Sequence, residues 1–154
     1  MSPNIPGQGM TTYGIFLLAE CYHEAADVVL NHHTKALSDH PARLLYLHAI
    51  ETYFRAFLRM WETNVDNLRA FRHNVGDMAD ASVAKGLHLD RVILKYLRDV
   101  SLENDYVRIR YDYDLRSLSG EWPEPRTRPR SISSLKSAAE IQHAIGTALN
   151  DVKE

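Results

Sequence analysis

The sequence predicts an all-α protein, a single-domain helical bundle of about five helices. The first observation is one stretch, Ala42 to Glu62, which has no glycine or internal proline and is apolar around most of its circumference. The second is that apolar residues elsewhere recur mainly at the spacing of a helical face. The third is length, since a chain of 154 residues can bury a core without metal or disulfide staples.

The composition is that of an ordinary globular domain. Hydrophobic residues make up 45% of the chain, and a formal net charge of −2 argues against a broadly basic nucleic-acid-binding surface. Cys21 is the only cysteine, which excludes an intrachain disulfide and favours a reducing compartment. The N-terminus lacks the basic region of a signal peptide, and no stretch reaches the roughly 18 apolar residues of a membrane span. We therefore expect a cytoplasmic protein without a membrane segment or a cofactor.

The first half of the chain predicts a terminal arm and two helices. Residues 1–11, with two prolines and two glycines, are expected to be a flexible arm. A first helix, from residue 12 to about His33, has one apolar and one polar stripe. The apolar stripe is Ile15, Leu18, Tyr22, Ala25, Ala26 and Val29, and the polar stripe is Glu20, His23, Glu24, Asp27 and Asn31. The second helix is the long apolar stretch, whose inward face gathers Leu47, Ile50, Phe54, Phe57, Leu58 and Trp61.

The second half predicts further helices and one loop. Residues 67–85 have a weaker helical spacing that Gly86 closes, and the pattern does not decide whether Arg72 and His73 lie in a loop or in the first turn. A fourth helix begins at Asp90 and continues, or restarts, beyond Ser101, where strand spacing also fits. These helices complete a bundle core of residues 12–118. Residues 119–130 are predicted to form a Pro/Arg-rich loop, and residues 131–154 a C-terminal helix that packs on the bundle.

Two Glu-x-x-His motifs, Glu20…His23 and Glu140…His143, have the spacing of di-iron carboxylate bundles. Ligands of a metal in a bundle core must project inward. Glu20 lies among the polar residues of the first helix, and Glu140 and His143 point away from the apolar stripe of the last helix. We therefore predict no metal site.

A candidate site combines polar residues that are scattered along the chain. Glu51 lies at the edge of the apolar face of the central helix, and Arg55 is its i, i+4 partner. The other members come from two later segments: Arg69, Arg72 and His73 before the third helix, and Arg110 and Tyr111 at the end of the fourth.

Two interpretations of this set are open. Brought together, the residues could bind a phosphate, or act on an RNA 2′-OH with His73 as acid/base and an arginine on the developing phosphorane charge. Alternatively they form a structural network, in which Arg55 or Arg110 neutralises Glu51 and His73 caps a helix end.

A second basic segment alternates charge with proline. Arg126, Arg128 and Arg130 follow Trp122, and such an arm could lie along a phosphate backbone while the indole stacks on a base. The alternative is a solvated connector.

The segments HAIETYFRAFL, LRAFRHNVGDMADASVAKGL and DYVRIRYD resemble motifs of HEPN-domain proteins, small α-helical domains of prokaryotic defence and toxin–antitoxin systems. The resemblance covers about residues 40–115. Glu51 and Arg55 match the Glu and Lys of the central-helix motif, His73-Asn74-Val75 matches the "HdL" segment, and Arg110-Tyr111 matches the "RY" pair. The resemblance implies a HEPN-like bundle.

The metal-independent ribonucleases of that family carry an R-x(4–6)-H motif, usually at a dimer interface. Here three residues separate Arg69 from His73 and none separates Arg72 from His73, while the fitting pair, Arg43…His48, lies on the central helix. The resemblance therefore implies a non-catalytic binding module. Its expected state is a homodimer with a nucleotidyltransferase or antitoxin as protein partner, or with a nucleotide or RNA as ligand. The alternative is a ribonuclease that uses His73 with Arg69 and Arg72.

Overall fold

The computed structural model describes residues 10–32, 40–61, 63–103, 106 and 127–152. This part of the chain contains six helices and no strand, which confirms the prediction of an all-α bundle. The helices are α1 (Thr12–His32), α2 (His40–Met60), α3 (Val65–Ala70), α4 (Val75–Ala84), α5 (Arg91–Leu102) and α6 (Thr127–Asp151). None of these helices combines the length and the apolarity needed to cross a bilayer.

Helix α2 is the axis of the bundle. It packs against α1, α4 and α6, so that side chains on nearly its whole circumference are covered. Its main apolar and aromatic side chains are at most 2% exposed: Tyr46, Leu47, Ile50, Tyr53, Phe54, Phe57 and Leu58. Each such side chain contributes roughly 1.5–3 kcal/mol by leaving water. The wide apolar arc in the sequence thus corresponds to a helix with neighbours on several sides.

Helix α1 is rotated about its axis relative to the predicted orientation. Its buried residues are Phe16, Ala19, His23 and Ala26. Leu18 and Ala25 were expected to face inward, and both are exposed. Ala26 is buried as predicted, and Ile15, Tyr22 and Val29 pack partly buried against the core. The prediction was therefore wrong only for Leu18 and Ala25, and the buried face is displaced by part of one residue position.

The rotation buries polar groups of α1 that were predicted to face solvent. His23 is 7% exposed, and its Nδ1 lies 3.2 Å from the hydroxyl of Tyr53. The half-buried Asp27 accepts a hydrogen bond from the hydroxyl of Tyr46. Burial lowers the pKa of His23 from its ordinary value, so the ring is neutral at pH 7. Hydroxyls of α2 thus pair with the polar groups of α1, and this pairing removes the main cost of burying them.

The predicted third helix is divided in two. Asn64 caps α3 and Asn74 caps α4, and each side-chain oxygen accepts a backbone N–H three residues later. Arg72 and His73 lie in the turn between the two helices, with φ angles of 47° and 71°. Helical periodicity did not decide between a loop and the first turn of a helix for these two residues. The structure places them in the connection between the two helices.

Two predicted element ends differ from the structure. Helix α2 ends at Met60, and Trp61, expected on the apolar face, is 51% exposed. Helix α6 begins at Thr127, so the last four residues of the predicted loop, with Arg128 and Arg130, are helical. Pro129 falls in the first turn, where a missing N–H costs no helical hydrogen bond. Residues 1–9 of the predicted arm and 119–126 of the predicted loop lie outside the described residues.

Helices α4 and α5 approach closely at Gly76, whose backbone N–H donates to Ser101 Oγ at 2.8 Å. A Cβ at this position would lie 3.0 Å from Ser101 Oγ and 3.2 Å from both Arg98 Cα and the Leu97 carbonyl oxygen. Two of these three atoms belong to the backbone of α5 and cannot rotate away. The absence of a side chain at Gly76 therefore sets the distance between the two helices.

We expect Gly76→Ala to lower the free energy of unfolding by about 1–3 kcal/mol, because it overpacks a helix contact. Urea unfolding measures the change. Gly146→Ala on α6 is the matched control, since its Cβ would meet the ring end of Phe16 at 3.3 Å and no backbone atom. There the gain in helix propensity, about 0.5–1 kcal/mol, offsets the contact. Equal losses in the two variants would contradict this account of Gly76.

Candidate functional site

The site is built around Glu51, whose side chain is only 1% exposed. Arg55 Nη2 donates to Glu51 Oε1 at 2.5 Å. His73 Nδ1 lies 3.0 Å from Glu51 Oε2 and 3.1 Å from Oε1. The structure thus brings together three of the predicted binding residues, and both partners remain partly accessible, at 39% for Arg55 and 40% for His73.

The local backbone explains how the two partners reach the carboxylate. Arg55 lies one helical turn after Glu51 on α2, at the spacing that lets a carboxylate and a guanidinium meet. His73 comes from the turn between α3 and α4, where it and Arg72 both adopt positive φ. Left-handed backbone at a residue other than glycine costs of order 1–3 kcal/mol and is concentrated at functional sites. The hydrogen bond to Glu51 and the Asn74 cap of α4 hold this turn in place.

Two further side chains complete the group around Glu51. Tyr106 donates its hydroxyl hydrogen bond to Glu51, and His48 Nδ1 lies 2.7 Å from the same hydroxyl oxygen. The ring of Tyr106 also packs edge-on against His73, with centroids 5.4 Å apart. On the other side, the ring of Tyr22 packs edge-on against His48 at 4.3 Å. One carboxylate therefore links two imidazoles, one directly and one through a phenol.

Sequence reasoning did not assign Tyr106 and His48 to the site. Tyr106 lies beyond Ser101, where the pattern fits both a helix and a strand and so gives no signal for a site residue. His48 lies three residues before Glu51, and this i, i+3 spacing on a helix was the available signal.

Opposing effects act on the charge of Glu51. Burial by itself raises the pKa of Glu51, but the Arg55 charge and the hydrogen bonds from His73 and Tyr106 together outweigh burial. The pKa of Glu51 is therefore lowered from its ordinary value of 4.5, and the group is a carboxylate at neutral pH. An ionised carboxylate only accepts hydrogen bonds, so the proton of the bond to His73 is on Nδ1. The second ring nitrogen, Nε2, makes no hydrogen bond with the described residues.

His73 forms part of the wall of an open cleft of about 290 Å³. Other lining residues are Phe71, Arg72, Asp77, Ser101 and Tyr106. The side chain of Arg72 is exposed and makes no hydrogen bond or ion pair with the described residues. The described residues that line the cleft thus include one guanidinium, one imidazole and one carboxylate, that of Asp77.

The remaining predicted residues take other places. Arg69 is exposed, pairs with Asp66 at 3.7 Å and does not line the cleft. Arg128 and Arg130 belong to the first turn of α6. The predicted residues Arg110, Tyr111 and Arg126 lie outside the described residues.

The two Glu-x-x-His motifs have other partners. Glu20 accepts a hydrogen bond from Gln142 Nε2 at 2.9 Å, and Glu140 accepts the backbone N–H of Asp90 at 2.9 Å. His23 is bonded to Tyr53. Across the described ranges, no group of three or more His, Cys, Asp or Glu side chains is arranged to hold a metal ion.

The described residues form a site of the imidazole–carboxylate class. An imidazole is held on a buried carboxylate at the wall of an open cleft, and an exposed guanidinium lies next to it in sequence. No family model, curated protein or solved structure matches this chain. The function is therefore inferred from the chemistry of the residues that meet at this cleft.

We expect Glu51→Gln to lower the free energy of unfolding at pH 7 by roughly 1–3 kcal/mol, since charged hydrogen bonds are lost and the donors are only half-buried. Because the pKa of Glu51 is lower in the folded protein, its contribution is present in full above pH 4.5 and is lost as the pH falls through the folded value. Urea unfolding of both proteins from neutral to acidic pH measures the difference.

Glu24→Gln is the control, because Glu24 is exposed on α1 and its substitution should change little. A difference between wild type and Glu51→Gln that grew as the pH fell below 4.5 would contradict the lowered pKa of Glu51.

Proposed function

We propose that this protein is a HEPN-like binding module whose cleft takes a phosphate group of a nucleotide or of RNA. The single observation behind the proposal is the pair Arg72 and His73 at the wall of the cleft, with His73 held on the buried Glu51. A strained turn places these two side chains there. Strain that persists beside an open cleft favours a ligand site over a purely structural turn.

Arg72 provides the fixed positive charge. A guanidinium has five N–H donors in a planar arrangement that matches two phosphate oxygens. In the described part of the chain, no carboxylate within ion-pair distance neutralises Arg72. Its donors are therefore available to an anion that enters the cleft.

His73 provides a second donor. Glu51 binds the Nδ1 side of the ring and so fixes both its orientation and its tautomer. In the protonated ring, Nε2–H donates to a phosphate oxygen, while the Glu51 carboxylate balances the charge of the imidazolium. The N–H groups at the start of α4 add little, because Gly76 already donates to Ser101 and Asp77 to Asn74.

The same contacts support the HEPN resemblance. Glu51 and Arg55 match one motif of that family and His73 matches another, and in the structure the three form one hydrogen-bonded group. As part of the proposal, the protein acts in a defence or toxin–antitoxin system, as a homodimer with a nucleotidyltransferase or antitoxin as partner.

We expect Arg72→Ala and His73→Ala each to weaken binding of single-stranded oligo(A) or of AMP at least about tenfold, because each removes a hydrogen bond to a charged group. Fluorescence anisotropy with labelled oligo(A), and competition by AMP, measure the effect. Arg91→Ala and His143→Ala are the matched controls, since both residues are exposed and neither lines the cleft. Unchanged binding in the two cleft variants, or no binding by the wild type, would refute the proposal.

A second candidate function is metal-independent RNA cleavage, which the Glu51–His73 pair specifically favours. With Nδ1–H held by a carboxylate, the neutral ring presents Nε2 as a base. In this reaction Nε2 takes the proton of a 2′-OH as that oxygen attacks the adjacent phosphorus. The P–O5′ bond breaks, the leaving oxygen takes a proton from water, and Arg72 stabilises the phosphorane charge.

If the second function holds, the purified protein cleaves RNA in the presence of EDTA. The His73→Ala variant should cleave at least about a hundredfold more slowly, because a general base usually contributes that much to the rate. Gel analysis of a labelled RNA measures cleavage, and His143→Ala should retain the wild-type rate. Binding of oligo(A) without cleavage leaves the non-catalytic module as the function.

A further inference from the structure

We infer that the cleft selects a ribose, and that Asp77 accepts a hydrogen bond from a ribose hydroxyl of the ligand whose phosphate contacts Arg72 and His73. This inference rests on the proposed function and names its ligand class. The ligands are ribonucleotides or single-stranded RNA, and the corresponding deoxy compounds are discriminated against.

Asp77 has unused acceptor capacity in the cleft. It lies in the first turn of α4 and lines the same cleft as Arg72 and His73. Its Oδ2 accepts one hydrogen bond, from Asn74 Nδ2 at 2.8 Å, and its side chain makes no ion pair with the described residues. Since a carboxylate accepts up to about four hydrogen bonds, a ligand donor can still bind there.

The charges of the cleft restrict what that ligand can be. Asp77 repels a phosphate that comes close to it, whereas Arg72 attracts one. A ligand that suits both residues carries an anionic group and also a neutral hydrogen-bond donor. A ribose phosphate has both, whereas an internal deoxynucleotide has no sugar hydroxyl. The volume of about 290 Å³ lies at the lower limit for ligand pockets, so the ligand group that enters the cleft is small.

Asp77 also has a structural role that an experiment must separate from binding. Its carboxylate lies near the N-terminus of α4, where negative charge stabilises a helix, and it bonds the capping residue Asn74. Helix α3 likewise has an asparagine cap, Asn64, and an aspartate in its first turn, Asp66, which pairs with Arg69 instead of with the cap. Asp66 is 88% exposed and does not line the cleft, so it is a matched control.

The experiment compares labelled oligo(A) with oligo(dA) by fluorescence anisotropy, for wild type, Asp77→Ala, Asp77→Asn and Asp66→Ala. Wild type should bind oligo(A) about tenfold or more tightly than oligo(dA), since one hydrogen bond to a charged group distinguishes them. Asp77→Ala should lose this preference and bind oligo(dA) at least as tightly as wild type, because the repelling charge is gone. Loss of fold alone would instead weaken both ligands. Asp77→Asn, which keeps the size of the side chain, should likewise bind oligo(dA) at least as tightly as wild type, and Asp66→Ala should match wild type.

Competition by AMP and by 2′,3′-dideoxy-AMP shows whether the ligand is a free nucleotide or RNA. The same preference among the monomers indicates a free nucleotide, and a preference confined to the oligomers indicates RNA; both results support the inference. Equal binding of oligo(A) and oligo(dA), still dependent on Arg72 and His73, would overturn the ribose inference and leave the proposed function intact. A preference that persists in Asp77→Ala would also overturn it. Failure of wild type to bind any of these ligands would remove both.

Discussion

The burial of one negative charge, on Glu51, is the constraint on which the arrangement of this protein depends. An ionised carboxylate inside a core is costly unless charged or hydrogen-bonding partners surround it. Helix α2 itself supplies Arg55, the turn between α3 and α4 supplies His73, and Tyr106 comes from beyond α5. Satisfying Glu51 therefore ties two separate parts of the chain, the turn with His73 and the segment with Tyr106, to the central helix.

The same constraint produces the site. To reach Glu51, the chain adopts positive φ at Arg72 and His73, and this places both side chains at the wall of a cleft. The interaction that offsets the strain of the turn also orients the imidazole. The structural and the functional interpretation of Glu51 are thus compatible, because Nδ1 of His73 bonds Glu51 while Nε2 makes no hydrogen bond with the described residues.

Helix α2 also supplies hydrogen-bond partners for polar side chains that α1 buries. Its tyrosines bond His23 and Asp27 of α1, so that the interface between the two helices contains hydrogen bonds inside an apolar surrounding. These bonds turn α1 away from the orientation that apolar periodicity predicts and leave Leu17 and Leu18 exposed. A periodicity pattern that counts tyrosine as apolar takes no account of the hydrogen bonds that its hydroxyl forms.

By itself, the sequence determined the features that depend on neighbours along one helix. These are the all-α class, the central position of α2 and the Glu51–Arg55 pair, which follows from i, i+4 spacing. Only the tertiary structure decided the turn conformation of His73, the inclusion of Tyr106 and the rotation of α1. The physical reason is distance along the chain. His73 and Glu51 are 22 residues apart, His23 and Tyr53 are 30 apart, and His48 and Tyr106 are 58 apart. Helical periodicity carries no information about partners at such separations.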